Sequence, residues 1–247
     1  MSEIYPLLRQ AIEAEQPVAT ATLIVVPEGG PPLQAGAKLL VWPDGQTQGA
    51  LGDAQLDAQA RADALNLLEQ GQTRTLEYDI SSGAQVQVFI ESFVPVPTLF
   101  VVGAVHIAIA LVSLAKVLGF RTVVIDAREA FATAERFPHA DELVTAWPDD
   151  ALEGRLTRSS YVAVLTHDPK LDDPALRVTL NSAARYVGAL GSPSTHERRL
   201  ERLRADGLSE AQLARIHGPI GLSIGARTPD EIALSILAEI IQVKRKT

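Results

Sequence analysis

The sequence predicts an α/β protein in which a Rossmann-type parallel-sheet domain with a helical C-terminal extension follows a smaller N-terminal α+β domain. Three observations predict it. Short apolar runs at 99–102, 122–126, 143–144, 162–165 and 186–190 alternate with helical spacing, the pattern of a parallel sheet covered on both faces. The first run opens directly into Gly103-Ala104-Val105-His106, the strand–turn–helix context of a dinucleotide-binding turn. Pro95 and Pro97 interrupt helix and central strand alike, which sets domains at 1–95 and 96–247.

In the first domain, Ile4, Leu7, Leu8, Ala11 and Ile12 recur at helical spacing, and 18–26 and 37–42 read as strands around a Gly/Pro-rich turn. Asp53 is placed to cap a helix whose apolar positions are Leu56, Ala60, Ala64, Leu67 and Leu68 and which ends before Gly71. Val86, Val88 and Ile90 alternate as a strand. In the second domain a helix runs from the turn to Leu118, a short helix falls near Ala130, and another follows Asp173. The tail reads as all-helical. Ser194 with Glu197, and Thr228 with Glu231, form capping boxes, and Pro229 suits a first helical position. Ala233, Ile236, Leu237, Ile240 and Ile241 make one apolar stripe that should dock.

Composition removes several function classes. At 247 residues and 47% hydrophobic, the chain can bury a core in each of two domains. It has no cysteine, which excludes disulfides, thiolate metal ligation and thiol catalysis. No stretch approaches the roughly 20 apolar residues of a membrane span, and Glu3 and Arg9 sit where a signal peptide would be basic and then apolar. A cytoplasmic protein without membrane contact is expected. The net charge of −8 repels nucleic acid and anionic lipid. His106, His139 and the other histidines lack zinc-ligand spacing, and no serine lies in a nucleophile elbow, so no metal site is expected.

The residues that could carry chemistry cluster at predicted strand ends. In Gly103-Ala104-Val105-His106-Ile107-Ala108, Val105 replaces the glycine at which bare backbone usually meets a pyrophosphate. The helix start still offers free N–H groups and a positive dipole end for an anion. Asp126 ends the second strand, where a carboxylate accepts from ribose hydroxyls, or caps the next helix. Arg128 could meet a 2′-phosphate or only cap. Thr166-His167-Asp168 follows the fourth strand, with His167 a proton donor, a phosphate ligand or a solvated loop residue. Gly188, Gly191 and Ser192 end the fifth strand and either supply backbone donors or turn the chain. In 216–225, Gly218, Pro219, Gly221 and Gly225 interrupt an apolar run, which fits backbone lying close to a ligand or another domain; His217 either faces a cleft or is structural. His196, Arg198, Arg199, Arg202 and Arg204 read as a solvated helix face, with phosphate contact the other reading.

Taken together, VVGAVHIA, VVIDAREAFATAERFPHAD, YVAVLTHDPKLDDPAL, RYVGALGS and IHGPIGLSIGARTPDEIALSILAEI resemble the XdhC/CoxI family of xanthine dehydrogenase accessory proteins. PVATATLIVVPEGGPPLQAGAKLLVWPDGQTQGALG resembles the family's opening domain in outline. The resemblance implies a commonly dimeric factor that binds molybdenum cofactor, as molybdopterin or its cytidine dinucleotide form, helps its sulfuration and delivers it to a molybdenum hydroxylase apoenzyme. On that reading Gly103, Ala104, Val105, His106 and Ile107 would meet phosphate, Asp126 and Arg128 a ribose or pterin-side group, and Thr166, His167, Gly191 and Ser192 the opposite wall. Where the family has a glycine-rich turn with cysteine and glutamate, this chain has Gly49-Ala50-Leu51-Gly52-Asp53; where a second Cys-Gly-Gly is usual, it has Ser81-Ser82-Gly83. Without a thiol it cannot itself carry a persulfide, so a cysteine desulfurase or a cysteine-bearing homologue becomes an expected partner. Whether the chain catalyses anything stays open. An NAD(P)-dependent oxidoreductase with His167 as proton donor is the alternative, and a non-catalytic partner in the maturation machinery is another.

Overall fold

The computed structural model describes residues 4–26, 33–80 and 83–245. The Gly/Pro-rich turn at 27–32, together with Ser81 and Ser82, lies outside the described residues. The chain divides into two compact units, Met1–Pro95 and Val96–Thr247.

The first unit contains α1 (Ile4–Glu13), β1 (Val18–Val25), β2 (Lys38–Val41), β3 (Thr47–Gly49), α2 (Ala54–Gln70), β4 (Arg74–Asp79) and β5 (Gln85–Phe93). Its strands form an antiparallel sheet in the order β3-β2-β1-β5-β4. Side chains alternate across a strand, so Ala19, Ala21 and Leu23 of β1 join the core under α2, whereas Val18 packs with Leu40, Ile4 and Ala11 on the α1 side. α2 starts where Asp53 accepts from Leu56 N–H at 2.9 Å and stops at Gly71, whose φ of +64° suits glycine. β3 and β4 were not apparent in the sequence, because β3 is wholly exposed and β4 largely so, leaving little apolar alternation.

The second unit contains β6 (Thr98–Val102), α3 (His106–Val117), β7 (Arg121–Ile125), β8 (Glu142–Val144), α4 (Pro148–Leu152), β9 (Ser160–Val164), α5 (Pro169–Leu180), β10 (Tyr186–Ala189), α6 (Pro193–Ala205), α7 (Glu210–Leu213), β11 (Ile216–His217) and α8 (Pro229–Arg245). All the strand pairings are parallel, in the order β11-β10-β9-β6-β7-β8. In strand-by-strand terms this is the doubly wound dinucleotide-fold order. Leu99 and Val101 face a core shared with α3 and α8; Phe100 and Val102 face one shared with α4, α5 and α6. The predicted fold class therefore holds.

Details differ for identifiable reasons. The segment expected to be helical near Ala130 is a series of turns, in which Arg128 lies 4.0 Å from the Phe131 ring centroid and Arg136 bonds the Phe131 carbonyl. The tail is not all-helical, since β11 adds an edge strand beside β10. The cap of α6 is Ser192, which accepts from Thr195 N–H, rather than Ser194, because Pro193 takes the first helical position. The Thr228–Glu231 box is present, with Glu231 accepting from Thr228 N–H at 3.0 Å.

Candidate functional site

In an open parallel sheet, ligands bind beyond the carboxyl ends of the strands where the strand order reverses. Here that place lies between β6 and β9. β6 runs directly into Gly103, whose N–H donates to Ile125 O at 2.8 Å. A Cβ on Gly103 would stand 2.4 Å from Thr166 Cγ2, and its φ is +102°. Glycine is required because the exit of β9 crosses the turn, which ties two predicted site residues to one another. Val105 is the N-cap of α3 and makes no side-chain hydrogen bond there. Its side chain and that of Ile107 pack on the core, while His106 is exposed.

Asp126 is placed by the end of β7. Its side chain is 0% exposed. Oδ2 accepts from Ala104 N–H at 2.8 Å and from Arg128 Nη2 at 2.8 Å, while Oδ1 accepts from Arg128 N–H at 3.0 Å and Nε at 2.9 Å. Burial pushes this carboxyl up, but the hydrogen bonds from Arg128 and Ala104 outweigh it and hold it below the ordinary carboxylate value. Both oxygens are thus engaged within the protein. The group left outward is Arg128, with its side chain 46% exposed and its guanidinium over Phe131.

The loops after β9 and β10 are joined by buried polar groups. Thr166 Oγ1 donates to Asp172 Oδ1, and Arg199 Nη2 donates to Asp172 Oδ2 at 3.1 Å and to Leu190 O at 2.8 Å. Burial drives the Asp172 carboxyl above its ordinary value although both partners pull it down. His167 is exposed beside Asp168, which caps α5 by accepting from Lys170 N–H at 3.0 Å. Gly191 and Ser192 lead into α6. The arginine-rich helix is therefore not simply a solvated face: Arg199 is buried, and Arg202 holds Asp173 at 2.6 Å. Asp172 escaped sequence reasoning and Arg199 was read as part of a solvated face, because each lies inside a charged run that spacing alone cannot split into exposed and buried members.

Two glycines of the segment 216–225 are explained by close packing, and Gly225 by its φ of +77°. A Cβ on Gly218 would meet the His196 ring at 2.2 Å, and one on Gly221 would meet Ser235 Oγ at 2.5 Å. His217 is half-buried at the end of β11. Its Nδ1 lies 3.0 Å from Glu239 Oε1, and Glu239 Oε2 also accepts from Tyr186 OH at 2.5 Å and Gly221 N–H at 2.9 Å. Burial raises the Glu239 carboxyl, yet the bonds from His217, Tyr186 and Gly221 bring it below its ordinary value. Glu239 flanks the apolar stripe of α8, and that position was its only sequence signal. Among the described residues no group of three or more His, Cys, Asp or Glu side chains could hold a metal ion, and no helix is long and apolar enough to cross a membrane.

The family model described as XdhC Rossmann domain matches residues 99–240, and that described as XdhC and CoxI family matches residues 11–79. The chain belongs to the XdhC/CoxI family. Among curated relatives it is 31% identical to a probable xanthine dehydrogenase subunit of Bacillus subtilis, across 83% of this chain and 54% of that one. It is 29% identical to the molybdenum cofactor insertion chaperone PaoD of Escherichia coli, across 76% and 56%, and 30% identical to the uncharacterized protein YqeB of that organism, across 93% and 44%. The chain thus spans about half the length of the curated relatives it matches. A crystal structure described as a xanthine dehydrogenase from Bacillus halodurans superposes with a TM-score of 0.54 at 26% identity, covering 99% of this chain and 96% of the other. The XdhC/CoxI assignment accordingly covers both units.

Proposed function

We propose that this XdhC/CoxI protein acts in the maturation of a molybdenum hydroxylase, binding molybdenum cofactor or its cytidine dinucleotide form and assisting its insertion into the apoenzyme. The observation that carries the reading is the similarity to PaoD, a molybdenum cofactor insertion chaperone, over 76% of this chain. The geometry supports a ligand at the carboxyl edge of the sheet. Gly191 keeps the backbone bare after β10, no side chain caps α3, and Arg128 stands exposed beside the first turn. These residues fit the phosphate end of such a cofactor.

In this reading the turn offers phosphate the N–H groups of Val105, His106 and Ile107, those of Gly103 and Ala104 being held by Ile125 O and Asp126. Asp126 holds Ala104 and Arg128 in place, and Arg128 makes the outward contact. Thr166, His167, Gly191 and Ser192 form the facing wall. When bound, the cofactor brings the metal chemistry; the chain, having no cysteine, binds and orients it, and sulfur comes from a cysteine desulfurase or a cysteine-bearing homologue. The working form is a homodimer in the cytoplasm, handing its cargo to the apoenzyme.

Native mass spectrometry of the purified chain, offered molybdenum cofactor, its cytidine dinucleotide form, NAD and NADP separately, tests the reading. Retention of a molybdenum form, weakened in Arg128→Ala, is expected. Binding of NADP alone, followed by a substrate-dependent absorbance change, would overturn it.

A further inference from the structure

α6 begins at the carboxyl end of β10, and its first turn gathers hydroxyls. Ser192 Oγ lies 3.0 Å from Ser194 Oγ and 2.9 Å from Thr195 Oγ1. Ser192 and Ser194 are exposed and Thr195 is half-buried. Among the first-turn amides, Pro193 has no N–H, that of Thr195 goes to Ser192 Oγ and that of His196 to Ser192 O. The Ser194 N–H is left without a partner among the described residues. Arg198 Nε donates to Ser194 O at 3.3 Å, which holds an exposed guanidinium beside this rim.

Below the rim lies a second, independent feature. Arg199, only 1% exposed, spends Nη2 on Asp172 and Leu190 O, while its Nε and Nη1 have no partner among the described residues. Nδ1 of His196, one turn earlier, is also buried and unpartnered. Buried donors are normally satisfied, and leaving a charged one without an acceptor is costly. Gly191 separates Arg199 from the hydroxyls. A Cβ there would lie 3.1 Å from Thr195 Cγ2 and 3.8 Å from Arg199 Nη1, so only the bare backbone at 191 separates that buried nitrogen from the start of α6.

We propose that the start of α6 is a phosphate site. The hydroxyls of Ser192, Ser194 and Thr195 and the Ser194 N–H hold the oxyanion at the rim, and Arg199 supplies donors from beneath. A helix start adds a positive dipole end, and Nη1 of a charged guanidinium offers charge-assisted hydrogen bonds to a phosphate oxygen. The ligand class is inorganic phosphate or a phosphate monoester. The site shares Gly191 and Ser192 with the wall of the proposed cofactor site, but its test is separate from that reading, since neither probe below contains molybdenum or a pterin.

The full chain is titrated calorimetrically with inorganic phosphate and, separately, with AMP, at constant ionic strength set by chloride. Saturable binding at one site per chain is expected, and the tighter of the two ligands identifies free phosphate or a monoester as the source. Ser194→Asp puts a carboxylate on the rim and should weaken binding by about tenfold or more without lowering the melting temperature, because an acidic residue is favourable in a helix's first turn. Arg199→Lys keeps a cation facing Asp172 but removes the Nη1 donor, and should also weaken binding by about tenfold. If Arg199→Lys does not fold, Ser194→Asp decides. Absence of saturable binding by either ligand, or unchanged affinity in Ser194→Asp, would mean that Arg199 is served by buried water only and overturns the proposal.

Discussion

Gly103 and Asp126 show how much of the site is fixed by single atoms. Gly103→Ala would drive a Cβ to 2.4 Å from Thr166 Cγ2 at a φ of +102°, and should cost about 2 kcal/mol or more in urea unfolding. Asp126 makes a pH-dependent prediction. Its folded-state value lies below the ordinary 3.8, so its contribution is fully present above that pH and is lost as pH falls through the lowered value. The urea midpoints of wild type and Asp126→Asn should therefore differ most near neutrality and converge below about pH 4. The sequence placed Asp126 at a strand end correctly in outline, but it could not show that Arg128, two residues on, would occupy both carboxylate oxygens. Side-chain pairings of this sort depend on rotamers, which spacing does not encode.

Element by element, local chemistry was most legible where a cap, an apolar face and a stop signal agree. α2 has all three in Asp53, the Leu56 to Leu68 stripe and Gly71. Asp53→Ala should cost about 1 kcal/mol, read as a shift in the denaturant midpoint without a change in slope. Legibility failed where tertiary contacts supply what local signals lack. β11 is two residues long and exists because β10 offers an edge to pair with. The turns near Ala130 are held by Arg128 and Arg136 around Phe131, contacts that outweigh modest helix propensity. At α6, two serines competed for the cap, and Pro193 settled it in favour of Ser192.

At the scale of the molecule, each unit has its own buried core, so residues 96–247 expressed alone should unfold cooperatively with a calorimetric enthalpy matching the van't Hoff value. A gradual, non-cooperative melt would show that this unit needs the first. The parallel sheet was legible because β6, β7, β9 and β10 are buried on both faces and appear as continuous apolar runs, whereas the network of Asp172, Arg199 and Leu190 joins segments whose proximity only the completed sheet creates. The packing of α8 bears on synthesis. Ala233, Ile236, Leu237 and Ile240 cover the face of β6 and α3 laid down by Leu99, Val101, Leu111 and Ala115. A ribosome making this chain exposes that oily face before it makes the cover, so during translation the second unit must wait, with a surface open to aggregation, until α8 has emerged.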